Sequence, residues 1–499
     1  MLQSSTDSRD HLLVFINGER HKIAGGDAFL TLSDFLRLRL GQVGTKIVCS
    51  EGDCGACSVL IGRPGDEEAD RGGEEGKLVY RAMDSCIHFM YQLDRTHVVS
   101  IEGLKRNGLL SPVQDAMVKC HGSQCGFCTP GFVMTMAGLL EGEGAGRHEA
   151  LTPDELRSGL TGNLCRCTGY VQIIDAGCAV DPGKTARLSE LYPDGPMTDI
   201  FEIHANENVK IVAGDGRTIA APANLDAAVA FKAANPGCTV VAGATDIGVQ
   251  YNKRKIDPRE VLCLANVGEM KGVGYEAGTL AAGACAKWSQ VEREVKDLVP
   301  TFYDVLTLFG SPQIRNAGTI GGNIANASPI ADSVPFLLVM GAELELTGPD
   351  GSRRVNINDF YTGYKQFDLK ADELIVKVHI PLPTEAQTLR LYKVSRRRDL
   401  DISTFTAAVL MELNETGETI QSTRIAYGGV AAVVLRLPKT EKFLTGKQFD
   451  ESVLREAGEL AKTETTPLTD VRGSADFRLQ LAENILTKFY FDCAQKTPV

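Results

Sequence analysis

A chain of 499 residues exceeds what one hydrophobic core organises, so roughly three or four domains are expected. Hydrophobic residues make up 43% and charged ones 23%, an ordinary globular composition, and no apolar run reaches the ~20 residues that span a bilayer. The net charge of -12 disfavours a nucleic-acid surface, which leaves small molecules and other proteins as the expected partners.

The opening stretch has neither a basic segment nor an apolar one and does not read as a secretory leader. Residues 12–18 then read as a weakly alternating strand, with Asn17-Gly18 as a primed hairpin turn. Residues 31–38 read as a short helix with Leu32, Phe35 and Leu38 on one buried face. Two further strands are expected at 58–61 and 78–80, separated by a Gly-rich, acidic stretch read as a solvated loop. Together these pieces predict a small mixed sheet with one helix.

Within that sheet lies the first of three tight cysteine clusters: Cys49, Cys54 and Cys57, followed by a lone Cys86. The x4–x2 spacing, with Gly55 and Ala56 inside the last hook, is that of a plant-type [2Fe–2S] loop, where small residues let backbone N–H groups approach sulfur. Zinc would need two CxxC-like hooks, which this spacing does not supply. Cys86 reads either as the fourth ligand or as a buried free thiol.

From about residue 110 helical starts follow one another. Ser111-Pro112, Thr129-Pro130 and Thr152-Pro153 each place a hydroxyl before a proline, and Gln114 and Glu155 complete capping boxes at two of them. A fourth helix is expected to begin near Tyr170, giving a small bundle. Cys125 and Cys128 fall at one helix start, and Cys165 and Cys167 on the irregular loop around Asn163 and Gly169. Helix N-termini there would favour a negatively charged cluster, and a single zinc on these four sulfurs is the competing reading. Fourteen cysteines in hooks of this kind point to metal ligation in a reducing, cytoplasmic compartment rather than to disulfides.

Residues 182–200, with three prolines and few apolar runs, read as a linker. Beyond it the pattern is α/β: a helix at 225–234, a strand at 238–242 running into Gly243-Ala244-Thr245-Asp246-Ile247-Gly248, a strand at 278–284 and a helix near Trp288. The stretch 310–329 is densest in glycine and small polar residues. Gly318, Gly321 and Gly322 suit positive φ or close backbone approach, and Thr319, Asn323, Asn326 and Ser328 can bind phosphate or sugar oxygens. A dinucleotide site and a tightly turned structural loop both fit; no GxGxxG or P-loop is present. Arg396, Arg397 and Arg398 read either as a solvated face or as a receiver of dinucleotide phosphates. The eight histidines form no HExxH, and no GxSxG elbow occurs.

The cysteine blocks, the Gln124-Cys125-Gly126-Phe127-Cys128 run, Cys165-Arg166-Cys167 and the two glycine-rich loops together resemble the molybdenum hydroxylases, over about residues 10–495. The resemblance implies an α+β multidomain chain. Its parts would be a ferredoxin-like β-grasp [2Fe–2S] domain at 1–95, a four-helix-bundle [2Fe–2S] domain at 96–182, a linker at 183–203, an α/β FAD-binding domain of the vanillyl-alcohol-oxidase/PCMH type at 204–384, and an α+β C-terminal flavoprotein domain at 385–499. It implies that Cys49, Cys54, Cys57 and Cys86 ligate one cluster and Cys125, Cys128, Cys165 and Cys167 the other. Gly243, Ala244, Thr245, Asp246, Ile247, Gly248, Phe309, Thr319, Gly322, Asn323, Asn326 and Asp332 match flavin-site positions. Gln124 matches a glutamine that touches the pterin of a molybdenum cofactor held by a partner subunit.

The chain resembles the iron–sulfur/flavin subunit of bacterial purine-oxidising members, which implies electron transfer to FAD and then NAD, beside a large molybdenum-binding subunit in an α2β2 heterotetramer. No residue of this chain would then be catalytic, and neither nucleic acid nor membrane would be a partner. The same role toward an aldehyde or another N-heterocycle, and a stand-alone NADH:acceptor flavoprotein, remain open alternatives.

Overall fold

The computed structural model describes residues 8–65, 76–142 and 147–494; the acidic stretch 66–75 lies outside them. The chain divides into two compact units. One holds the residues up to Gly272 with Lys287–Gln290 and Ser311–Thr319; the other holds Val273–Ala286, Val291–Gly310 and the chain from Ile320 onward. Among the described residues no helix is long and apolar enough to cross a membrane.

In the first unit, Leu12–Ile16 and Glu19–Ile23 form the expected hairpin, with Asn17 at φ +50° and Gly18 at +86°. They extend into a mixed five-stranded sheet with Thr96–Val99, Ser58–Pro64 and Leu78–Asp84, in which Leu12–Ile16 runs parallel to Thr96–Val99. The helix Leu32–Leu38 packs on this sheet, capped by the Thr31 hydroxyl, which accepts from Asp34 N–H. Its buried face is Leu32, Phe35 and Leu36. Leu38 is two-thirds exposed, contrary to the expected face, because Leu36 holds the inward position at helical spacing from Leu32.

Four helices follow, Pro112–Lys119, Thr129–Glu141, Pro153–Gly159 and Val171–Cys178. Ser111 and Thr152 cap as expected, with reciprocal boxes to Gln114 and Glu155. Thr129 does not cap: Cys128 occupies that position, and the Thr129 hydroxyl turns to Ser123 Oγ at 3.0 Å. The segment read as a linker also differs from expectation. It forms the helices Leu188–Leu191 and Gly195–Ile203, and Leu188, Tyr192, Met197 and Phe201 enter the same core as the bundle. Its apolar residues are too widely spaced to show as a run, yet they land on one side once helical.

A second sheet of this unit orders Ser8–Arg9, Asn208–Val212, Thr218–Ala221, Glu260–Cys263 and Thr239–Val241. Its edge strand comes from the chain's beginning, fixed by Arg9 to buried Asp94 through hydrogen bonds of 3.0 and 2.8 Å. The helix Leu225–Ala234 has the predicted bounds, capped by Asn224.

The second unit holds one five-stranded sheet, Val273–Glu276, Thr279–Gly283, Leu374–Pro381, Glu343–Gly348 and Gly351–Asn356. It also holds an antiparallel sheet of Gln387–Val394, Phe405–Leu413, Ile420–Gly428 and Leu435–Arg436. Glu451–Thr463 and the twenty-residue helix Ala475–Ala494 close the core over the latter, through Leu454, Ala457, Ile485, Leu486 and Phe489.

Candidate functional site

The first cysteine group is built by a loop rich in left-handed backbone. Ser50, Gly52 and Gly55 take φ of +56°, +70° and +64°, and these turns bring Cys49, Cys54 and Cys57 toward one another. Cys86, from the turn after Leu78–Asp84, completes the set: its thiol and that of Cys54 hydrogen-bond to Cys49, and it also bonds Cys57. Those contacts, with backbone N–H groups of Asp53 and Glu51, pull Cys49 far below the usual thiol range. The same hydrogen bonding to Cys49, followed by burial, pushes Cys54 and Cys86 up. Ile87, Val249 and Ile314 wall the buried pair Cys57 and Cys86.

Asp84 is wholly buried beside this group. Burial first, and the nearby Cys49 charge second, raise its carboxyl to about 7; the Cys57 thiol and Ser58 hydroxyl reach only its Oδ1. Asn252 donates to the carbonyls of Ser50, at 3.0 Å, and Cys86, at 2.8 Å, so one side chain ties both arms of the group to the helix Ile247–Asn252.

The second group sits at the N-terminus of Thr129–Glu141 and on the loop before Val171–Cys178. Cys125 meets Cys167, and Cys128 meets Cys165, whose sulfur also lies 3.2 Å from Thr168 Oγ1. Burial, then the bond to Cys165, pushes Cys128 up to about 12. Burial opposes ionisation of Cys165, but Thr168 and the N–H groups of Thr168 and Cys167 outweigh it and lower its pKa. Cys125, Cys167 and Gln124 are exposed. Between the groups, Leu164 N–H donates to the carbonyl of Cys54 at 3.0 Å, a direct backbone contact between the two cysteine loops.

All eight predicted ligands therefore fall into two quartets, the first a run of contacts from Cys54 through Cys49 and Cys86 to Cys57, the second the pairs Cys125–Cys167 and Cys128–Cys165. Among the described residues no three His, Cys, Asp or Glu converge on one metal-ion position. A [2Fe–2S] centre takes four protein sulfurs, two on each iron, and each quartet gathers that donor set.

The flavin candidates divide between the units. In the first, Ala244 rather than a glycine carries the positive φ, +59°. A Cβ on Gly243 would lie 2.3 Å from Ala317 O, and one on Gly248 would lie 2.4 Å from Ile87 O. These two glycines therefore serve close packing on protein backbone. Thr319 is buried, Thr245 and Ile247 are half-buried, and Asp246 is exposed.

In the second unit the stretch expected as a turned loop is the helix Ile320–Asn326, and Gly321 and Gly322 lie inside it instead of adopting positive φ. Gly321 abuts Ala284, where a Cβ would come within 2.6 Å, while Gly322 is exposed. Asn323 Oδ1 accepts from Ser333 at 2.6 Å, and Asn326 Oδ1 accepts from Lys365 at 2.7 Å. Their amide N–H2 groups remain as the donors for a ligand, with Phe309 half-buried nearby in sequence. Asp332 commits Oδ2 to Lys393 at 2.6 Å and Oδ1 to Ser403 at 2.5 Å, so it organises its surroundings. Lys393 also donates to Leu308 O at 3.1 Å. The sequence gives no role to Lys393, Asn252, Asp84 or Asn163, whose partners lie far along the chain, although Lys393 opens the run that carries the three arginines and Asn163 the loop of Cys165 and Cys167.

Comparison with known proteins agrees with this layout. Residues 100–178 match a "[2Fe-2S] binding domain", residues 208–383 an "FAD binding domain in molybdopterin dehydrogenase", and residues 390–493 a "CO dehydrogenase flavoprotein C-terminal domain". Xanthine dehydrogenase 1 of Arabidopsis thaliana is 29% identical over 97% of this chain and 40% of its own length. Among solved structures, quinoline 2-oxidoreductase from Pseudomonas putida 86 matches with TM-score 0.51 and 32% identity, over 55% of this chain and 95% of that one. CO dehydrogenase from Oligotropha carboxidovorans matches with TM-score 0.51 and 28% identity, over 54% and 94%.

Fold and site thus define an electron-transfer module with separate iron–sulfur, FAD-binding and C-terminal flavoprotein domains. The chain belongs to the molybdenum hydroxylase family. It spans about two fifths of the length of the curated relatives it matches.

Proposed function

We propose that the chain is the iron–sulfur/FAD subunit of a xanthine dehydrogenase, with the site residues read from its sequence and the domain limits read there, except that the segment read as a linker packs with the bundle. Its partner would be a large subunit carrying the molybdenum cofactor and the xanthine or hypoxanthine pocket, in an α2β2 assembly, with NAD as final acceptor. A chain with fourteen cysteines, eight of them gathered as candidate ligands, suits the reducing cytoplasm. The observation that carries the relay reading is the meeting of eight sulfurs as two quartets.

When bound, the two clusters supply one-electron steps and the flavin a two-electron step that suits hydride transfer to NAD. The residues of this chain provide spacing and shielding. Leu164 and Cys54 join the ligand loops through one hydrogen bond. Ile87, Val249 and Ile314 exclude water from Cys57 and Cys86. Lys393, fixed by Asp332 and Leu308 O, holds a buried cation in the flavin-binding unit. The exposed Gln124, Cys125 and Cys167 face outward, where a partner can meet them.

A second reading, the same module serving another N-heterocycle, draws support from the 32% identity to quinoline 2-oxidoreductase. Purifying the native complex and measuring metals, flavin, spin signals and substrate range decides both questions. The expected result is two irons and two acid-labile sulfides per cysteine quartet, as two distinct [2Fe–2S] signals, with molybdenum on the partner and urate as product. Stoichiometric zinc, or iron for one quartet only, would sink the relay; turnover of quinoline-like rings in place of xanthine would move the assignment to the second reading.

A further inference from the structure

Gln313 is fully buried on the short helix Pro312–Ala317, and its amide reaches three separate parts of the first unit. Its Nε2 lies 3.3 Å from Ser58 Oγ, 3.3 Å from Thr135 Oγ1 and 3.0 Å from Asn163 Oδ1. Ser58 follows Cys57, Thr135 stands on the helix that starts at Cys128, and Asn163 stands two residues before Cys165.

One carbonyl sets the orientation of all these groups. Gly55 O can only accept, and it takes Asn163 Nδ2–H at 3.1 Å and the Ser58 hydroxyl at 2.8 Å. Asn163 must therefore turn Oδ1 toward Gln313, and Ser58, whose single proton goes to Gly55 O in preference to the more distant Asp84 Oδ1 at 3.5 Å, offers Gln313 only lone pairs. Both neighbours demand a donor, so Gln313 presents Nε2 to them. Its Oε1 is left pointing at Gly162, where a Cβ would sit 1.9 Å away, and it has no hydrogen-bond partner among the described residues. An orphaned buried acceptor is destabilising, and an apolar side chain of the same length would fill this space without that cost. The donor of Gln313 accordingly does something that packing does not.

What it holds is adjacent to the contact between the two cysteine loops. Asn163 precedes Leu164, and Cys54 precedes Gly55; Leu164 N–H to Cys54 O, at 3.0 Å, is the backbone bridge between them. We propose that Gln313 is a positioning residue for electron exchange between the two quartets: by fixing Asn163 and Ser58 against Gly55 it holds the Leu164–Cys54 bridge closed. This rests on the iron–sulfur reading given above. Gln313 forms no bond and moves no proton; it sets a spacing, and tunnelling rates fall steeply when such a bridge opens.

The test uses the purified native complex carrying Gln313→Met, which keeps length and volume but donates nothing. Iron and flavin content should match the unsubstituted complex, so the quartets remain loaded. The magnetic splitting between the two fully reduced centres at low temperature should diminish or vanish, and electron equilibration between them after rapid mixing should slow several-fold. Unchanged splitting with unchanged equilibration would overturn the proposal. If Gln313→Met fails to load iron, Gln313→Glu, equal in shape with at most one donor hydrogen, decides. A diminished splitting there supports the role, and either wild-type behaviour or the same failure to load assigns Gln313 to folding alone. Absence of two [2Fe–2S] signals in the unsubstituted complex would instead refute the functional reading beneath it.

Discussion

The two cysteine quartets differ in how far their sulfurs reach the surface: the first has two buried and two half-buried, the second one buried, one half-buried and two exposed. Cys57 and Cys86 are each 2% exposed, under a wall of aliphatic side chains and beside a carboxyl that burial has raised to about 7. Cys125 and Cys167 lie at the surface, among the half-exposed Phe127 and the still more exposed Val171. A quartet with no exposed sulfur is largely shielded by its own chain, whereas one with two exposed sulfurs beside apolar side chains is suited to a partner that completes its cover. In the relay proposed above, the outer quartet, with its two exposed sulfurs, is the one that a partner subunit can cover.

The largest effect expected from this contrast comes from removing one sulfur on each side. Cys57→Ser takes a ligand from the middle of a packed core, where ligation also contributes folding energy, and should cost more than about 4 kcal/mol of stability together with the inner cluster. Cys125→Ser removes an exposed ligand at a helix start, and should lose the outer cluster with a smaller drop in Tm. It should abolish substrate-to-NAD transfer while sparing NADH-to-dye transfer through the flavin. Iron content, spin signals and thermal melts of the two variants check this together. Equal loss of Tm, or loss of dye activity in Cys125→Ser with flavin retained, would erase the distinction between inner and outer quartets.

How far the contrast could be read beforehand depends on the range of the interactions. Ligand spacing is local, so Cys49, Cys54 and Cys57 announce their loop, as Asn17-Gly18 announces a hairpin and Ser111 and Thr152 announce helices. Thr129 misled because its hydroxyl had a nearer partner in Ser123, which no capping pattern registers. The segment 182–200 misled because its few apolar residues need the bundle's core before they have a reason to be helical. Glycines at 243, 248 and 321 were legible as places of close approach, but not as approaches to protein backbone. Gln313 and Lys393 were illegible as organisers, since their partners lie 150 or more and 61 or more residues away.

Acid should separate the two regions by a smaller amount. His97 is fully buried on the strand Thr96–Val99; its Nε2 accepts Gly18 N–H at 3.1 Å and its Nδ1 lies 2.6 Å from the Tyr80 hydroxyl. Burial lowers its pKa to about 4. The fold thus prefers neutral imidazole, so this stability is present above the unfolded pKa of ~6.5 and is lost as pH falls through 4, about 3 kcal/mol in all. In the bundle the corresponding device is Glu155, lowered to about 2 by the N–H and hydroxyl of Thr152 and by Arg147. Its contribution is present above ~4.3 and is lost only as pH falls through about 2. Hydrogen exchange between pH 6.5 and 4 should therefore show protection falling around Gly18 and His97 while the Thr152 cap holds. His97→Asn should flatten the sheet's dependence. Simultaneous loss in both regions would show that they unfold as one unit and that no such division exists.

The smallest effect concerns the outer quartet's edge. Gln124 is exposed beside exposed Cys125, so truncating it removes nothing that the chain's own fold depends on. Gln124→Ala should leave Tm, iron and flavin content, and NADH-to-dye activity unchanged in the isolated chain. If the outer quartet faces the partner, the amide is desolvated on assembly and must find a hydrogen bond across the boundary. Losing that bond then costs about 1–2 kcal/mol, a five- to thirty-fold weakening of partner affinity or slowing of substrate-driven turnover. Titrating the partner subunit against both forms of this chain, with turnover measured at saturation, separates affinity from rate. A variant indistinguishable from wild type in both would mean that the partner covers some other surface, and the exposure of Cys125 and Cys167 would then need a different explanation.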